Sequence, residues 1–570
     1  MSGRTDHWAE VVRETDVLVV GGGMAGCFAA IRARDQGAEV VMVDKGYVSR
    51  SGSTPFPRGL MVFDPLTKGH DLDLWMEEVA LAGEYLNNRA WTQAVILRSK
   101  RVFEELVSWG VEFNRDDQGN VLSNFNIPGG IEALQLKFGS LSPVLRREVL
   151  RRGIPIIDRV MITELIVAGG RALGAVGVST TDETTHVFRA KATALCTGAG
   201  SFKPYGFPIA SVTGDGVAMA YRAGVEITGK EFIDTHETRA DHPADVGYGG
   251  MRRPAGRMMG FDMINAEGDR IHRPGPLDIT PEFEAHAGRA PLAAGGPGPG
   301  PEGPGPRYMV GGAGLGYGGV GEGVWPVDSD CASSLPGLFT AGESCGTHHI
   351  GASYPGGGWG IPSAAVTGER AGLGAARFAK DAEKETPDPA LVAELTSAAQ
   401  APAFRRGGFS PDWTTQMLRN TLAPYYVLAI KRADRLQAAL TNVEFFRDHL
   451  VPKLYARDPH ELRKAHETRS MVLNAEMKLR AGLFRTESRG THYREDFPLR
   501  DDPEWLCWVT MGSVGGEMVA SKRPIPREWW PDLSAPYEER YPLRFPGEST
   551  AMDSRNGMTA AAQVGRHDGD

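Results

Sequence analysis

The chain has 570 residues, of which 41% are hydrophobic and 23% are charged, values that are typical of globular proteins and exclude a mainly disordered chain. Its formal net charge of −9 excludes the general basic field by which proteins attract nucleic acid or an anionic membrane. The cysteines lie far apart and form no CxxC pair, so we expect neither a disulfide framework nor a zinc or iron–sulfur site: Cys27, Cys196, Cys331, Cys345 and Cys507. Any iron–sulfur cluster that exchanges electrons with this chain would therefore be held by another chain.

The sequence offers no targeting or membrane-spanning segment. Residues 1–15 are polar and lack the apolar stretch of a secretory signal. No later segment has about twenty uninterrupted apolar residues, the length that a transmembrane helix needs. We therefore expect no transmembrane segment and a cytoplasmic location.

Residues 16–46 have the order of elements of a βαβ nucleotide-binding unit. The apolar pattern predicts a strand at 17–20, a helix at 25–36 and a second strand at 40–43, which ends at Asp44. A GxGxxG motif joins the first strand to the helix, formed by Gly21, Gly23 and Gly26. Its glycines would permit a tight turn, approach of a pyrophosphate to the backbone, and packing of helix on strand. The pyrophosphate would lie at the helix N-terminus, and Asp44 would accept hydrogen bonds from ribose hydroxyls.

Further elements follow in chain order. Residues 73–107 are predicted to be helical, and residues 154–178 alternate as in a small β-meander. A buried strand at 192–196 precedes a second glycine turn at 197–200, which we expect to face the same crevice as the first.

The second half of the chain begins with a loop-rich segment, 235–324, which contains a low-complexity stretch at 295–307 that we expect to be exposed and mobile. A strand at 338–341 then returns to the nucleotide fold. The pattern is mostly helical over 387–483, and the residues from Ala551 are expected to be frayed.

Several segments together resemble the succinate dehydrogenase/fumarate reductase flavoprotein family, which includes L-aspartate oxidase and the flavoprotein of adenylylsulfate reductase. The matching motifs occur in the family's order: GGGMAG, VDKGYVSRSGS, TGDGVAMAYRAG, LPGLFTAGES and ESRGTHYREDFPLRDDPEWL. The resemblance implies an FAD-dependent oxidoreductase with an α/β fold: a Rossmann-like FAD-binding domain, an inserted α+β capping domain and a C-terminal helical domain. It divides the chain into a first FAD-binding part at 1–234, a capping domain at 235–324, a second FAD-binding part at 325–386, a helical domain at 387–508 and a C-terminal extension at 509–570.

By the same resemblance the cofactor-binding residues are Gly21, Gly23, Met24, Ala25, Gly26, Asp44, Lys45, Arg50, Ser51, Gly52, Ser53, Thr197, Gly198, Asp215, Gly342, Glu343, Ser363 and Ala364. The glycine turn would hold the pyrophosphate, and Asp44 with Lys45 the adenosine end. Glu343 would take a ribityl hydroxyl, and the helix that starts near Ser363 would direct its N-terminus at the flavin pyrimidine. Many respiratory members attach FAD to a histidine where this chain has Gly52, so we expect FAD to be bound non-covalently.

The substrate anchors of the family's dicarboxylate enzymes are not matched. One anchor in the family is the motif HGANRLGG. When positions are counted from Glu343 without gaps, Ile350 occupies the place of its histidine and Tyr354 that of its arginine. His348 and His349 are candidates to replace the histidine. No stretch matches TEGxRGEGG well, although Arg252, Arg253 and Arg257 are loose candidates, and no SRDVV-type segment with a proton-shuttling arginine is visible. Succinate and fumarate are therefore not expected as substrates.

His236 remains from the family pattern, since EFIDTHET matches EFVQFHPT at the histidine. By resemblance it would lie over the flavin as a hydrogen-bond donor or acid/base group. The alternative is a histidine that fixes the hinge of the capping domain.

The segment SYPGGGWGIPSA resembles the YPGxG segment of flavin-dependent 3-ketosteroid dehydrogenases. There the tyrosine hydroxyl and a glycine N–H polarise a ketone, roles that would fall to Tyr354 and Gly358. Two neutral donors can stabilise an enolate without a substrate carboxylate. The alternative is a tyrosine that packs on the flavin in a glycine turn.

The sequence thus predicts hydride transfer between flavin N5 and a carbon next to a carbonyl, with catalytic candidates Tyr354, Gly358, His236, His348 and His349. The alternatives are the flavin subunit of a two-protein reductase, with an iron–sulfur or other electron-transfer partner, and an oxidase like aspartate oxidase. Less specific candidates are Cys345 as a flavin-proximal thiol, and Tyr425, Tyr426 or His492 from the helical domain. We expect Arg489 and Arg494 to pair with Glu495 or Asp496.

Overall fold

The computed structural model describes residues 8–127, 130–203, 211–233, 321–355 and 357–542, together with Phe545, Glu548, Met552 and five short strands between 238 and 309. The strands are β1 Ala9–Val20, β2 Val40–Asp44, β3 Gly59–Met61, β4 Ser123–Ile127, β5 Ile131–Gln135, β6 Ile156–Asp158, β7 Val160–Ala168, β8 Arg171–Ser179, β9 Thr184–Leu195, β10 Ile227–Thr228, β11 Thr238–Arg239, β12 Met263–Ile264, β13 Arg270–Ile271, β14 Ala293–Gly295, β15 Arg307–Met309, β16 Gly323–Val324, β17 Leu338–Thr340, β18 Ile430–Lys431, β19 Tyr493–Arg494, β20 Cys507–Val514 and β21 Glu517–Pro524. The α-helices are α1 Met24–Asp35, α2 Leu72–Ala82, α3 Arg89–Trp109, α4 Leu141–Arg151, α5 Asp215–Arg222, α6 Gly360–Asp381, α7 Pro389–Phe404, α8 Pro411–Leu422, α9 Tyr425–Leu428, α10 Ala433–Phe445, α11 Pro459–Phe484 and α12 Tyr537–Arg540.

A seven-stranded mixed sheet forms the centre of the fold, in the order β6-β2-β1-β9-β8-β7 with β17 also paired to β9. Strand β1 runs parallel to β2 and β9, and Val20 lies opposite both Val43 and Leu195. The three strands therefore reach the same edge of the sheet together. This is the edge where a nucleotide binds in open α/β sheets.

Helix α1 packs against α6 at very short range because glycines of α6 face the backbone of α1. A Cβ at Gly368 would lie 2.3 Å from the carbonyl oxygen of Ala25, and one at Gly372 would lie 2.3 Å from that of Ala29. This close approach places the N-termini of both helices beside the edge of the sheet. The chain segments that build this layer therefore come from before and after the predicted capping segment.

The structure bears out most of the predicted elements in the part of the chain that it describes. The helical stretch expected at 73–107 is interrupted between α2 and α3, where Glu84 and Tyr85 have φ values of 49° and 62° that no α-helix accommodates. The first strand and the strand ending at Leu195 both begin earlier than expected and have twelve residues. The predicted helical region 387–483 is confirmed as α7 to α11.

The C-terminal part contributes a hairpin that the sequence analysis did not predict. Strands β20 and β21 pair with β10 and β16 in a four-stranded sheet of order β16-β10-β20-β21. Strand β10 lies shortly before the predicted capping segment and β16 forms its last two residues, so the chain enters and leaves this segment beside the same sheet. Most of that segment, with residues 296–306 of its low-complexity stretch, and nearly all residues from Ala551 lie outside the described residues. The five-part domain division stays a prediction.

Among the helices that the structure describes, none has the length and apolar character needed to cross a membrane.

Candidate functional site

A cavity of about 410 Å³ opens at the edge of the sheet where β1, β2 and β9 end. It lies between the N-termini of α1 and α6, so residues distant in sequence form one wall. The predicted cofactor-binding residues that line it are Gly21, Gly23, Met24, Ala25, Asp44, Lys45, Ser51, Gly52, Ser53, Thr197, Gly198, Asp215, Gly342, Glu343 and Ala364.

The glycine turn has a backbone shape that only glycine adopts easily. Gly21 has a φ of 102°, and a Cβ there would lie 2.3 Å from the carbonyl oxygen of Cys196. A Cβ at Gly26 would lie 1.9 Å from the carbonyl oxygen of Gly21, so this glycine permits the turn to pack on α1. Helix α1 begins without a side-chain cap, and the Met24 N–H donates to Thr54 Oγ1 at 2.9 Å. Its N-terminus therefore favours an anionic group in the cavity.

Asp44 ends β2 and orients the turn rather than extending freely into the cavity. Its Oδ2 accepts the Gly22 N–H at 2.8 Å, and its Oδ1 accepts the Gly46 N–H at 2.7 Å. Burial raises the pKa of Asp44, although both amide bonds oppose this shift. A ribose hydroxyl would share these oxygens with the backbone amides.

Lys45 belongs to a buried charge cluster at the junction with α11. Its Nζ lies 2.6 Å from Asp215 Oδ2 and 2.9 Å from Glu467 Oε1, and it donates to Thr213 Oγ1 at 2.9 Å. Burial opposes the charge of Lys45, but Asp215 and Glu467 outweigh burial and raise its pKa. Lys203 lies 2.7 Å from Glu467 Oε2. The cluster therefore fixes the wall of the cavity to the helical region.

The wall fits FAD on observations that are independent of the family resemblance. Thr197 Oγ1 is buried and has no hydrogen-bond partner in the part of the chain that the structure describes, so it can bond a bound ligand. The glycine cradle and the N-terminus of α1 suit a pyrophosphate. Gly52, with a φ of 69°, has no side chain that could form a covalent bond to the flavin.

The N-terminus of α6 forms the opposite end of the cavity. This 22-residue helix begins at Gly360 without a side-chain cap, and Ala364 lines the cavity. Nearby, Gly342 has a φ of 68°, and its N–H donates to Thr367 Oγ1 at 2.9 Å. Ser363 instead faces a second, smaller cavity of about 20 Å³. The described residues that line this second cavity are Gly321, Glu322, Gly342, Glu343, Cys345, His349, Tyr354, Gly360 and Ser363.

Tyr354 and Gly358 lie together on the wall of the large cavity. The Tyr354 hydroxyl accepts the Gly360 N–H at 3.1 Å, which places it at the N-terminus of α6. Gly358 has a φ of 100°, and a Cβ there would lie 2.8 Å from Ala133 Cβ and 2.9 Å from Met61 N. The backbone at this point therefore requires glycine.

The predicted histidines separate in the structure. His349 lines the small cavity, its Nδ1 lies 2.9 Å from Thr347 Oγ1, and burial lowers its pKa to about 4. His348 is not among the residues that line either cavity, and its catalytic role stays a prediction. Its Nε2 lies 2.8 Å from Thr228 Oγ1, its ring stacks on Trp508, and burial lowers its pKa to about 3. His236 lies outside the described residues.

Three other sequence candidates, Arg50, Tyr426 and His492, are not among the residues that line either cavity. Arg50 is exposed, and Tyr426 is 44% exposed on α9. His492 is buried between chain segments, where its Nδ1 lies 2.9 Å from Lys431 Nζ. The side chain of Tyr425 lies outside the described part. Cys345 is buried and lines the small cavity.

The expected pairing of two arginines is confirmed for one of them. Arg494 pairs with Asp496 at 2.8 Å. Arg489 pairs instead with Glu487 at 2.7 Å and with Asp502 at 2.6 Å, because the C-terminal part folds back over it.

The structure adds residues that sequence reasoning missed. Thr54 and Arg58 line the large cavity just after the predicted serines, and the available signal was two polar side chains so soon after that motif. Glu322 lines the small cavity, and Glu467 reaches Lys45 from a helix more than 400 residues away in sequence. Nothing in the local sequence marks these two glutamates. In the described part of the chain, no group of three or more His, Cys, Asp or Glu side chains could hold a metal ion.

Comparisons with known proteins agree with this geometry. A model of the FAD binding domain matches residues 16–290, and a model of the fumarate reductase flavoprotein C-terminal domain matches residues 418–531. One chain of the fumarate reductase (CoM/CoB) of Methanothermobacter marburgensis is 28% identical over 534 residues, which cover 86% of this chain and 96% of that protein. The fumarate reductase flavoprotein subunit of Mycobacterium tuberculosis is 25% identical over 611 residues, which cover 90% of this chain and 98% of that protein.

Solved structures share the fold over nearly the whole chain. Sdh1 of Mycobacterium smegmatis, in complex with UQ1, has a TM-score of 0.76 at 23% identity, with 94% of this chain and 99% of that chain covered. Adenylylsulfate reductase of Archaeoglobus fulgidus has a TM-score of 0.74 at 21% identity, with 92% of this chain and 97% of that chain covered. The glycine turn, the cavity wall, both domain matches and the shared fold converge on one conclusion. The chain belongs to the succinate dehydrogenase/fumarate reductase flavoprotein family and is an FAD-dependent oxidoreductase.

Proposed function

We propose that this flavoprotein transfers hydride between flavin N5 and a carbon next to an activating carbonyl, by desaturation of the substrate or by the reverse ene-reduction. The observation that carries the proposal is the position of the Tyr354 hydroxyl on the cavity wall, 3.1 Å from the Gly360 N–H at the start of α6. A hydroxyl that accepts an N–H from a helix N-terminus becomes a stronger donor through its own proton.

A ketone oxygen suits this part of the wall. Tyr354 would donate one hydrogen bond to it, and the Gly358 N–H would donate the second. Both donors are neutral, and they act where negative charge develops as the carbonyl becomes an enolate. When bound, the flavin supplies the two-electron acceptor or donor at N5. The protein's part is to polarise the carbonyl and to move the proton.

A C4 dicarboxylate suits the wall less well. Ile350, at the position where the family's dicarboxylate enzymes have histidine, is fully buried in the core. His348 and His349, with pKa values of about 3 and about 4, are neutral near pH 7 and supply no positive charge. Two described cations line the large cavity, Lys45 and Arg58, and Lys45 is paired with Asp215.

Arg58 favours a second candidate function, in which the substrate carries a carboxylate. Its half-buried guanidinium lines the large cavity, and burial lowers its pKa. A guanidinium can hold a carboxylate through two hydrogen bonds. The Methanothermobacter relative is named as one chain of a fumarate reductase, so this candidate would be a flavin subunit that works with a partner chain.

Tyr354→Phe tests the proposal. Removal of one oxyanion donor lowers the rate of such steps about 10²- to 10³-fold, so flavin reduction by saturated ketones should slow by that factor. Tyr426→Phe is the matched control, because that tyrosine is 44% exposed on α9, and its rate should not change. Equal ketone rates in wild type and Tyr354→Phe would exclude the proposed role. If Arg58→Gln slows flavin reduction by a substrate that carries a carboxylate, the second candidate function is favoured.

A further inference from the structure

The small cavity connects the flavin site to a buried charge cluster. It shares Gly342, Glu343, Tyr354 and Gly360 with the large cavity, so the two are neighbours across one wall. Its volume of about 20 Å³ exceeds the roughly 10–15 Å³ that one water requires. Polar side chains surround it, a condition that favours hydration of a buried cavity. These side chains are Glu322, Glu343, His349, Tyr354 and Ser363.

Glu322 joins this cavity to two buried lysines. Its Oε2 accepts a hydrogen bond from Lys478 Nζ at 2.5 Å, and its Oε1 lies 3.4 Å from Lys230 Nζ. Lys230 also donates to Asn474 Oδ1 at 2.7 Å, and Lys478 donates to the carbonyl oxygen of Phe232 at 3.1 Å. The side chains of all three charged residues are at most 1% exposed. Two cations thus share one carboxylate in a buried environment.

Burial, with a smaller contribution from the second lysine, makes Lys230 easy to deprotonate. Burial lowers the pKa of Lys230 to about 8, Glu322 opposes the shift, and Lys478 adds to it. The next residue along the chain, Glu231, lies 3.1 Å from Arg485 and belongs to a separate pair. Lys230 can therefore release a proton near physiological pH, unlike an ordinary lysine.

We propose that one water in the small cavity links Tyr354 to Glu322, and that Lys230, Glu322 and this water form a proton relay that resupplies Tyr354. The relay rests on the proposed function, since it serves the proton that accompanies hydride transfer. Lys230 and Glu322 do not touch the substrate in this scheme. They position and supply the proton that Tyr354 delivers.

The proton transfers balance atom by atom in the ene-reduction direction. The Tyr354 O–H bond breaks as its proton moves to the substrate oxygen, and the water gives a proton to the tyrosine oxygen. Glu322 passes a proton from Lys230 to the water, so Lys230 ends as the neutral amine. These steps transfer protons only, and no group is oxidised or reduced in them. Solvent then returns a proton to Lys230 and completes the cycle.

The first measurement is a crystal structure of the FAD-loaded protein at a resolution that shows ordered waters. The relay predicts a water in the small cavity within hydrogen-bond distance of both Tyr354 Oη and a Glu322 oxygen. A dry cavity, or a water bonded to neither residue, would overturn it. This measurement needs no substrate and so does not depend on turnover.

The second measurement follows oxidation of the dithionite-reduced flavin by cyclic and acyclic enones, with 2-cyclohexen-1-one as the first probe. In the wild type the rate should fall as pH rises through about 8, because Lys230 then has no proton to give. Lys230→Met should be slower by about 10²-fold, the usual contribution of a positioned proton donor, and should lose the inflection. Lys431→Met removes another buried lysine that lines neither cavity, and it should keep the inflection.

Glu322→Asp provides a second test in case Lys230→Met is slow only because it does not fold correctly. It keeps the negative charge between the lysines but withdraws the carboxylate from the cavity, so it should bind FAD and still react more than tenfold slower. If Lys230→Met reduces enones with an unchanged pH profile, the relay alone is overturned. If the wild type's reduced flavin is not oxidised by enones, the proposed function and the relay are overturned together.

Discussion

Glu467→Gln perturbs the charge cluster that fixes the FAD cavity to the helical region. The carboxylate is fully buried and lies 2.9 Å from Lys45, 2.7 Å from Lys203 and 2.7 Å from Arg463. Removal of one partner from a buried ion pair costs about 3–5 kcal/mol. We expect the lower figure, because Asp215 remains 2.6 Å from Lys45 and burial already lowers the pKa of Lys203. At about 2 °C per kcal/mol for a large domain, the thermal midpoint should fall by roughly 6 °C.

The assay is thermal denaturation of the FAD-loaded protein, followed by tryptophan and flavin fluorescence. Glu444→Gln is the control, since its pair with Arg480 is about one third exposed and is worth less than about 1 kcal/mol.

The pH dependence has a definite sign. Burial opposes ionisation of Glu467, but the surrounding cations outweigh it and depress the pKa. Its stabilisation is therefore complete above the unfolded pKa of about 4.3 and is lost as pH falls below that value. The reasoning would be refuted if Glu467→Gln were as stable as the wild type at pH 7. It would also be refuted if the difference in thermal midpoint between the two proteins grew as the pH is lowered.

Three further predictions concern the bound cofactor. FAD should be released completely by denaturation, because Gly52 offers no attachment point; flavin fluorescence that stays with the polypeptide on a denaturing gel would contradict this. Gly26→Ala should be purified without flavin absorbance, since its Cβ would lie 1.9 Å from the carbonyl oxygen of Gly21, whereas Gly512→Ala, with open space around it, should retain FAD. Thr197→Val should weaken FAD binding by about two- to tenfold, the value of one hydrogen bond, without a lower thermal midpoint of the apoprotein; unchanged FAD affinity by fluorescence titration would show that Thr197 Oγ1 does not bond the cofactor.

Local sequence patterns predicted the nucleotide-binding half of the fold because its signals are local. Strand, glycine turn, helix and acid occur within residues 16–46, and each residue's role follows from its immediate neighbours. The extension of β1 back to Ala9 could not be predicted from a local sequence pattern. That part of the strand is polar and partly exposed, and it is held by pairing with β9, whose sequence lies about 175 residues away.

The substrate end of the site depended on contacts that no local pattern shows. His348 and His349 are adjacent in sequence, yet only His349 faces a cavity, because His348 adopts a φ of 51° and turns toward Trp508. Glu322 gains its role from lysines on two other segments. The hairpin of β20 and β21 did carry a signal, since Gly515 and Gly516 have positive φ at its turn, as paired glycines in two-residue hairpin loops often do.

Anaerobic reduction of the bound flavin tests the central claim most directly. The purified protein would be mixed with saturated cyclic and acyclic ketones, and separately with succinate, with aspartate, and with sulfite plus AMP, while flavin absorbance is recorded. Carbonyl activation by Tyr354 predicts bleaching by ketones and not by the other compounds. Bleaching by succinate, aspartate or sulfite with AMP, in the absence of any reaction with ketones, would contradict it.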